Sequence, residues 1–94
     1  MKKIEYTEHL KIRIQLRHIL KDLPKEIYLT ADERYYDSST QHRIALKKTE
    51  YMGKNRDMII CYEEVEDRVE IITIHPLKAY QKMQRIESGR WKKI

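Results

Sequence analysis

His75 closes the run Val69-Glu70-Ile71-Ile72-Thr73-Ile74 and stands directly before Pro76, with Lys78, Lys82 and Arg85 following at four- and three-residue steps. An imidazole titrates near neutral pH and is the natural side chain for moving a proton. Cations at that spacing gather on one side of a helix. Together these types suit one chemistry, metal-free cleavage of RNA. That reaction needs a base to take the 2′-hydroxyl proton, an acid to protonate the leaving 5′-oxygen, and cations to stabilise charge on pentavalent phosphorus. His75 is the candidate acid or base and Arg85 a charge-stabilising cation. Tyr80 is a candidate proton donor, since a phenol would need a depressed pKa to act as a base. Lys78, Lys82 and Arg90 are candidate RNA-binding cations beside them, and Arg43 and Lys47 extend the cationic floor along a neighbouring strand. Each has a plainer role. His75 can cap a strand end through a backbone hydrogen bond, and Tyr80 can simply pack.

Other chemistries fit poorly. Two glycines cannot build a glycine-rich phosphate loop. The four histidines, His9, His18, His42 and His75, have no paired spacing and only one cysteine to join, so neither a metal nor another cofactor is expected. Ser38, Ser39 and Ser88 fall in turn-forming stretches rather than at a nucleophile elbow. Cys61, inside Met58-Ile59-Ile60-Cys61-Tyr62, reads as a buried thiol and leaves no intrachain disulfide.

Charge supports the phosphate reading once it is located. Residues 77–94 hold six of the 20 Lys and Arg but one of the 15 Asp and Glu, so this segment alone accounts for the net +5. A polyanion-binding edge has that distribution, and so does a solvated basic tail. With 94 residues, 40 % of them hydrophobic and 37 % charged, the chain suits one small domain. No apolar run approaches the roughly 18–20 residues of a membrane helix, and the opening Lys2-Lys3-Ile4-Glu5 lacks a signal peptide's apolar stretch, so a cytoplasmic protein away from membranes is expected.

The elements that must position these residues follow from periodicity. Lys3 to Tyr6 alternates weakly, as a short edge strand does. Thr7 is an N-cap candidate with Glu8 behind it. Ile12, Leu16, Ile19, Leu20 and Leu23 then recur at helical spacing, predicting a helix over 8 to about 21 with that stripe inward and Leu10 and Ile14 at its flanks. His9, Arg13 and Arg17 form a row on one side of it. Such a row can bind phosphate, although its ordinary meaning is a solvated face. A second, shorter helix runs from Pro24 to about Arg34.

Arg34-Tyr35-Tyr36-Asp37 and the stretch from His42 to Tyr51 read as a hairpin. A turn at Gly53-Lys54-Asn55 leads to a strand over 57–63, and an acidic tip at 64–68 leads to the strand ending at His75. Tight turns make these strands antiparallel. The expected fold is α+β, with two N-terminal helices packed on one face of a four-stranded antiparallel sheet, the other face available, and a basic C-terminal segment able to form a helix. In that helix Lys78, Lys82 and Arg85 make a basic stripe beside an apolar one of Ala79, Met83 and Ile86. Ser88-Gly89 ends it, and Arg90-Trp91 pins the tail or stacks on a base.

Tyr6-Thr7-Glu8-His9, Arg34-Tyr35-Tyr36-Asp37 leading to His42-Arg43-Ile44-Ala45, and Ile71-Ile72-Thr73-Ile74-His75-Pro76-Leu77-Lys78 closing on Ser88-Gly89-Arg90-Trp91 resemble an uncharacterised small prokaryotic family grouped with the RelE, ParE and BrnT-like toxins. The resemblance implies a RelE-like domain over 1–94 and a toxin of a toxin–antitoxin module, cleaving messenger RNA, commonly on the ribosome, and neutralised by a cognate antitoxin. It implies basic and tyrosine roles for Arg43, Lys47, Arg85 and Tyr80. Members of the ParE type bind DNA gyrase instead, so fold alone does not choose the target. A module of the same fold that binds nucleic acid or a partner protein without turnover is the alternative.

Overall fold

The computed structural model describes residues 2–94. The chain runs β1 (Lys3–Tyr6), α1 (Glu8–Leu16), α2 (Leu23–Thr30), β2 (Glu33–Asp37), β3 (His42–Tyr51), β4 (Lys54–Val65), β5 (Arg68–Leu77), α3 (Ala79–Glu87) and β6 (Trp91–Lys93). The strands form one six-stranded sheet in the order β1-β5-β4-β3-β2-β6. β1 lies parallel to β5, while the other neighbouring pairs are antiparallel. Among the described residues no helix is long and apolar enough to cross a membrane.

The expected four-stranded antiparallel sheet beneath two N-terminal helices is therefore corrected to three helices and a six-stranded mixed sheet. The tight-turn rule governs only the meander from β2 to β5. β1 and β6 join the sheet through long connections, and a parallel pair needs such a crossover, which the whole segment between β1 and β5 supplies. The helix pair follows β1, the short edge strand read at Lys3 to Tyr6, which the four-stranded count left out, and α3 crosses the face that was expected to be available.

α1 also ends earlier than its periodicity suggests. Thr7 caps it, accepting from the Leu10 amide at 3.2 Å. At the other end His18 turns into the left-handed region at φ 53°. The Ile19 amide then reaches back to the Ile14 carbonyl at 3.0 Å, and the His18 amide to that of Gln15 at 3.5 Å. That pairing is a Schellman stop, and it brings the two isoleucines it links onto the same core. The consequence splits the expected stripe, of which Ile19 and Leu23 alone reach the core. Leu10 is buried, and Ile12, Leu16 and Leu20 stand 55, 75 and 78 % exposed.

Two cores result, one per sheet face. α1 and α2 cover Ala45, Met58, Ile60, Tyr62, Val69, Ile71 and Ile74 with Leu10, Ile19, Leu23 and Ile27. On the opposite face Tyr35, Ile44, Leu46, Ile59, Leu77 and Trp91 cluster. A bulge lets β5 serve both. Thr73 pairs with Cys61 and Ile71 with Tyr62, so Ile72 is the extra residue, and Ile71 and Ile74 share a face although three positions apart.

α3 joins β5 to β6 across the second face. It buries no residue fully. Its half-buried side is Gln81, Lys82 and Arg85, and its apolar residues Tyr80, Met83 and Ile86 face solvent. Polar contacts hold it down, led by the Lys82 ammonium 2.8 Å from Glu33 of β2.

Candidate functional site

β1 pairs with β5 only as far as Tyr6 opposite Ile71, so the second half of β5 has β4 on one side and no strand on the other. The chain leaves β1 there. The Thr7 amide and hydroxyl donate to the carbonyls of Ile71 and Ile72 at 3.2 and 3.1 Å, which sets α1 against β5. His75 lies in this exposed half. It is opposite Ile59 in the ladder, so its side chain points to the second face, the one crossed by α3.

His75 is half-buried. Its Nδ1 lies 3.2 Å from the Pro76 carbonyl oxygen. A carbonyl can only accept, so Nδ1 carries the proton and the lone pair sits on Nε2. Burial holds this imidazole below the ordinary histidine value, the hydrogen bond to Pro76 only partly opposes it, and the positive charges of Arg85, Arg13 and Arg17 push it lower still. At neutral pH the ring is predominantly the neutral base, in a positive field to which Arg85, Arg13 and Arg17 contribute. None of those three arginines has a carboxylate partner among the described residues. On the same strip of β5, Thr73 Oγ1 is buried without a hydrogen-bond partner.

The other expected site residues are divided by the fold. Arg85 comes to the site, its guanidinium 5.2 Å from the Trp91 ring and close enough in charge to act on both His75 and Cys61. Tyr80 shares a groove on α3 with Arg85 and Arg90. Its ring is 58 % exposed and lies 6.0 Å from the Lys78 ammonium. Lys82 is taken by Glu33, whose carboxyl is held low by hydrogen bonds from Lys82 and Tyr35. Arg90 is taken by Asp37, with Nε 3.0 Å from the carboxylate.

Arg43 and Lys47 lie elsewhere. They alternate with Ile44 and Leu46 along β3 and share the helix-covered side with Ala45, where Lys47 Nζ donates to the Thr30 carbonyl at 3.4 Å. They do not extend a floor around His75, because strand alternation sends them to the opposite face.

Arg13 and Arg17 are the members that were not selected from sequence as site residues. Their signal was the row His9-Arg13-Arg17 at steps of four, whose ordinary meaning is a solvated face. Only the placement of α1 against β5 brings the charges of Arg13 and Arg17 within reach of the imidazole. Cys61, on the same face, is half-buried, and burial pushes its thiol up to about 11, which leaves it protonated and inert.

No protein-family model, curated protein or solved structure matches the chain. Function is therefore read from these residues alone.

Proposed function

We propose that the chain is a metal-free endoribonuclease, of the kind that toxin–antitoxin modules direct against messenger RNA. The observation that carries the proposal is the half-buried His75 imidazole, with its lone pair on Nε2, lying in the positive field of three arginines that have no carboxylate partner among the described residues, Arg85, Arg13 and Arg17. Guanidinium groups match phosphate oxygens geometrically and keep their charge at any working pH. A phosphodiester seated among them places its ribose near Nε2. His75 takes the 2′-hydroxyl proton, the 2′-oxygen attacks phosphorus, and the arginines stabilise the charge that develops there. The bond to the 5′-oxygen breaks, and that oxygen takes a proton from solvent. The products are a 2′,3′-cyclic phosphate and a 5′-hydroxyl.

A cognate antitoxin belongs to the same proposal. Ile12, Leu16 and Leu20 form an exposed apolar band, and a groove lined by Ile12 and Leu16 also contains His9, Arg13 and Arg17. A protein covering the band would cover two of the site's arginines. The second reading, a module that binds RNA without cutting it, is favoured by the half-burial of His75.

The test is end-labelled RNA incubated with purified protein in the presence of a chelator. Cleavage with cyclic-phosphate ends is expected, and His75→Ala should lower its rate about 10²- to 10⁴-fold, the usual contribution of a general base. Expression of the wild-type chain should arrest growth, and His75→Ala or Arg85→Ala should relieve the arrest. Intact RNA bound in a salt-sensitive way selects the second reading, while unchanged toxicity in both variants removes the site.

A further inference from the structure

We infer that α3 is flanked by a continuous strand-binding track, made of two grooves that meet at Gln81, in which phosphates are held well away from the reacting one and a base is taken by Tyr80. The inference rests on the RNA reading above and identifies the form of RNA, an unpaired strand, that the site accepts.

The first groove lies at the start of α3 and at the ends of β3, β4 and β5, and its cations are Lys48, Arg56 and Lys78. The second runs along the flank of α3 and contains Tyr80, Gln84 and Arg85. Gln81 lines both. Lys48, Arg56, Lys78 and Arg85 form no ion pair among the described residues, against the two carboxylates, Asp57 and Glu87, that share these grooves. Cations without ion-pair partners, exposed at Lys48, Arg56 and Lys78, leave a positive surface on which an anion laid between them is favoured.

α3 itself gives the second reason. An isolated helix with apolar and basic sides would place the apolar side on the sheet, whereas here Lys82 and Arg85 face inward and Tyr80 and Met83 face out at 58 and 54 % exposure. The outward Tyr80 is a ring in the second groove, beside Arg85 and 6.0 Å from the Lys78 ammonium of the first. Cations that follow the backbone and an aromatic surface that takes a base are what an unpaired strand needs, since a base stacked inside a duplex cannot reach the ring. Tyr80 is therefore assigned to base stacking and not to proton donation. The first groove includes Pro76, the residue after His75 in the chain.

The test uses a fluorescein-labelled, fully 2′-O-methylated single-stranded RNA, which cannot be cleaved through its 2′-oxygen, and the same sequence as a duplex. Anisotropy titrations across salt are run with the full chain. The single strand should bind more tightly than the duplex. Tyr80→Ala should weaken it about tenfold, the loss of one base–aromatic stack, while Tyr80→Phe should bind as wild type. The combined Lys48→Ala, Arg56→Ala and Lys78→Ala variant should reduce the salt slope by about two, because each phosphate neutralised on a single strand adds roughly 0.7 to it.

Equal affinity for duplex and strand, or an unchanged salt slope in the triple variant, overturns the track. Unmodified RNA is assayed for cleavage in parallel. Cleavage that depends on His75 but ignores Tyr80 and the three cations sinks the track and leaves the nuclease standing. Track-dependent binding without cleavage does the reverse.

Discussion

The imidazole of His75 shows how far residue types alone carry. Its identity and the value of a nearby Arg85 were legible, because a histidine between an apolar run and a proline is an unusual local pattern, although the strand expected to end there runs on through Pro76 to Leu77. Its protonation state was not, since that depends on burial and on arginines brought from a different part of the chain. The sign of the pH dependence follows. Burial and the charges of Arg85, Arg13 and Arg17 place the folded pKa below that of the unfolded chain. The unfolded state therefore binds more protons as pH falls through that window, and acid destabilises the fold through this group. The base form predominates at neutral pH, so cleavage should rise with pH through a midpoint below the ordinary histidine value. Arg85→Gln removes one positive neighbour, and both the NMR titration of His75 and the rising limb of the rate profile should move to higher pH together. Limbs that stay put while the rate falls would mean that Arg85 holds substrate without tuning the base.

At the scale of elements, periodicity gives existence more reliably than orientation. The α1 pattern holds two apolar sets, Ile12-Leu16-Leu20 and Leu10-Ile14, and spacing cannot rank them once the helix stops at Leu16. The stop itself comes from His18 taking a left-handed conformation, which a non-glycine residue seldom signals in sequence. After it, Ile19 and Leu23 reach the core on a new heading while Leu20 does not. For α3 the sequence shows a basic stripe beside an apolar one without ranking them, and the second face, expected to be available, is closed by Trp91 and by polar contacts. Stability should reflect the observed orientation. Leu10→Ala is expected to cost about 2–5 kcal/mol, the usual range for a buried leucine, and Leu16→Ala within about 0.5 kcal/mol of zero. Denaturant midpoints measure both. A large loss at Leu16 would return the stripe to the core.

Across the whole molecule, the charge excess along the chain and the unpaired charge in space are different maps. Residues 77–94 carry the net +5, yet Lys82 and Arg90 from that segment are spent on Glu33 and Asp37. The cations around His75 include Arg13 and Arg17 from the part of the chain whose charges balance. Folding moves positive charge toward β5 by neutralising it along β2, and Asp37 is the residue on which this exchange turns. It is 2 % exposed and accepts from Arg90 Nε, Trp91 Nε1 and the amides of Ser39 and Thr40. Burial pushes its carboxyl up, but these donors more than offset burial and leave it below its ordinary value. A depressed carboxyl contributes stability above its unfolded pKa and loses it as pH falls through the folded one. Asp37 thus clamps β6 onto β2, closes the edge of the sheet and anchors the far end of α3. Asp37→Ala should cost about 2–3 kcal/mol near neutral pH, below the range for a fully buried pair because Arg90 is partly exposed. It should also flatten the acid limb of stability and weaken RNA binding through Arg85. Urea denaturation followed by circular dichroism from pH 7 to 3 reads the first two effects, and anisotropy reads the third. A variant that loses stability yet keeps full affinity would show that α3 holds its place without the β6 clamp.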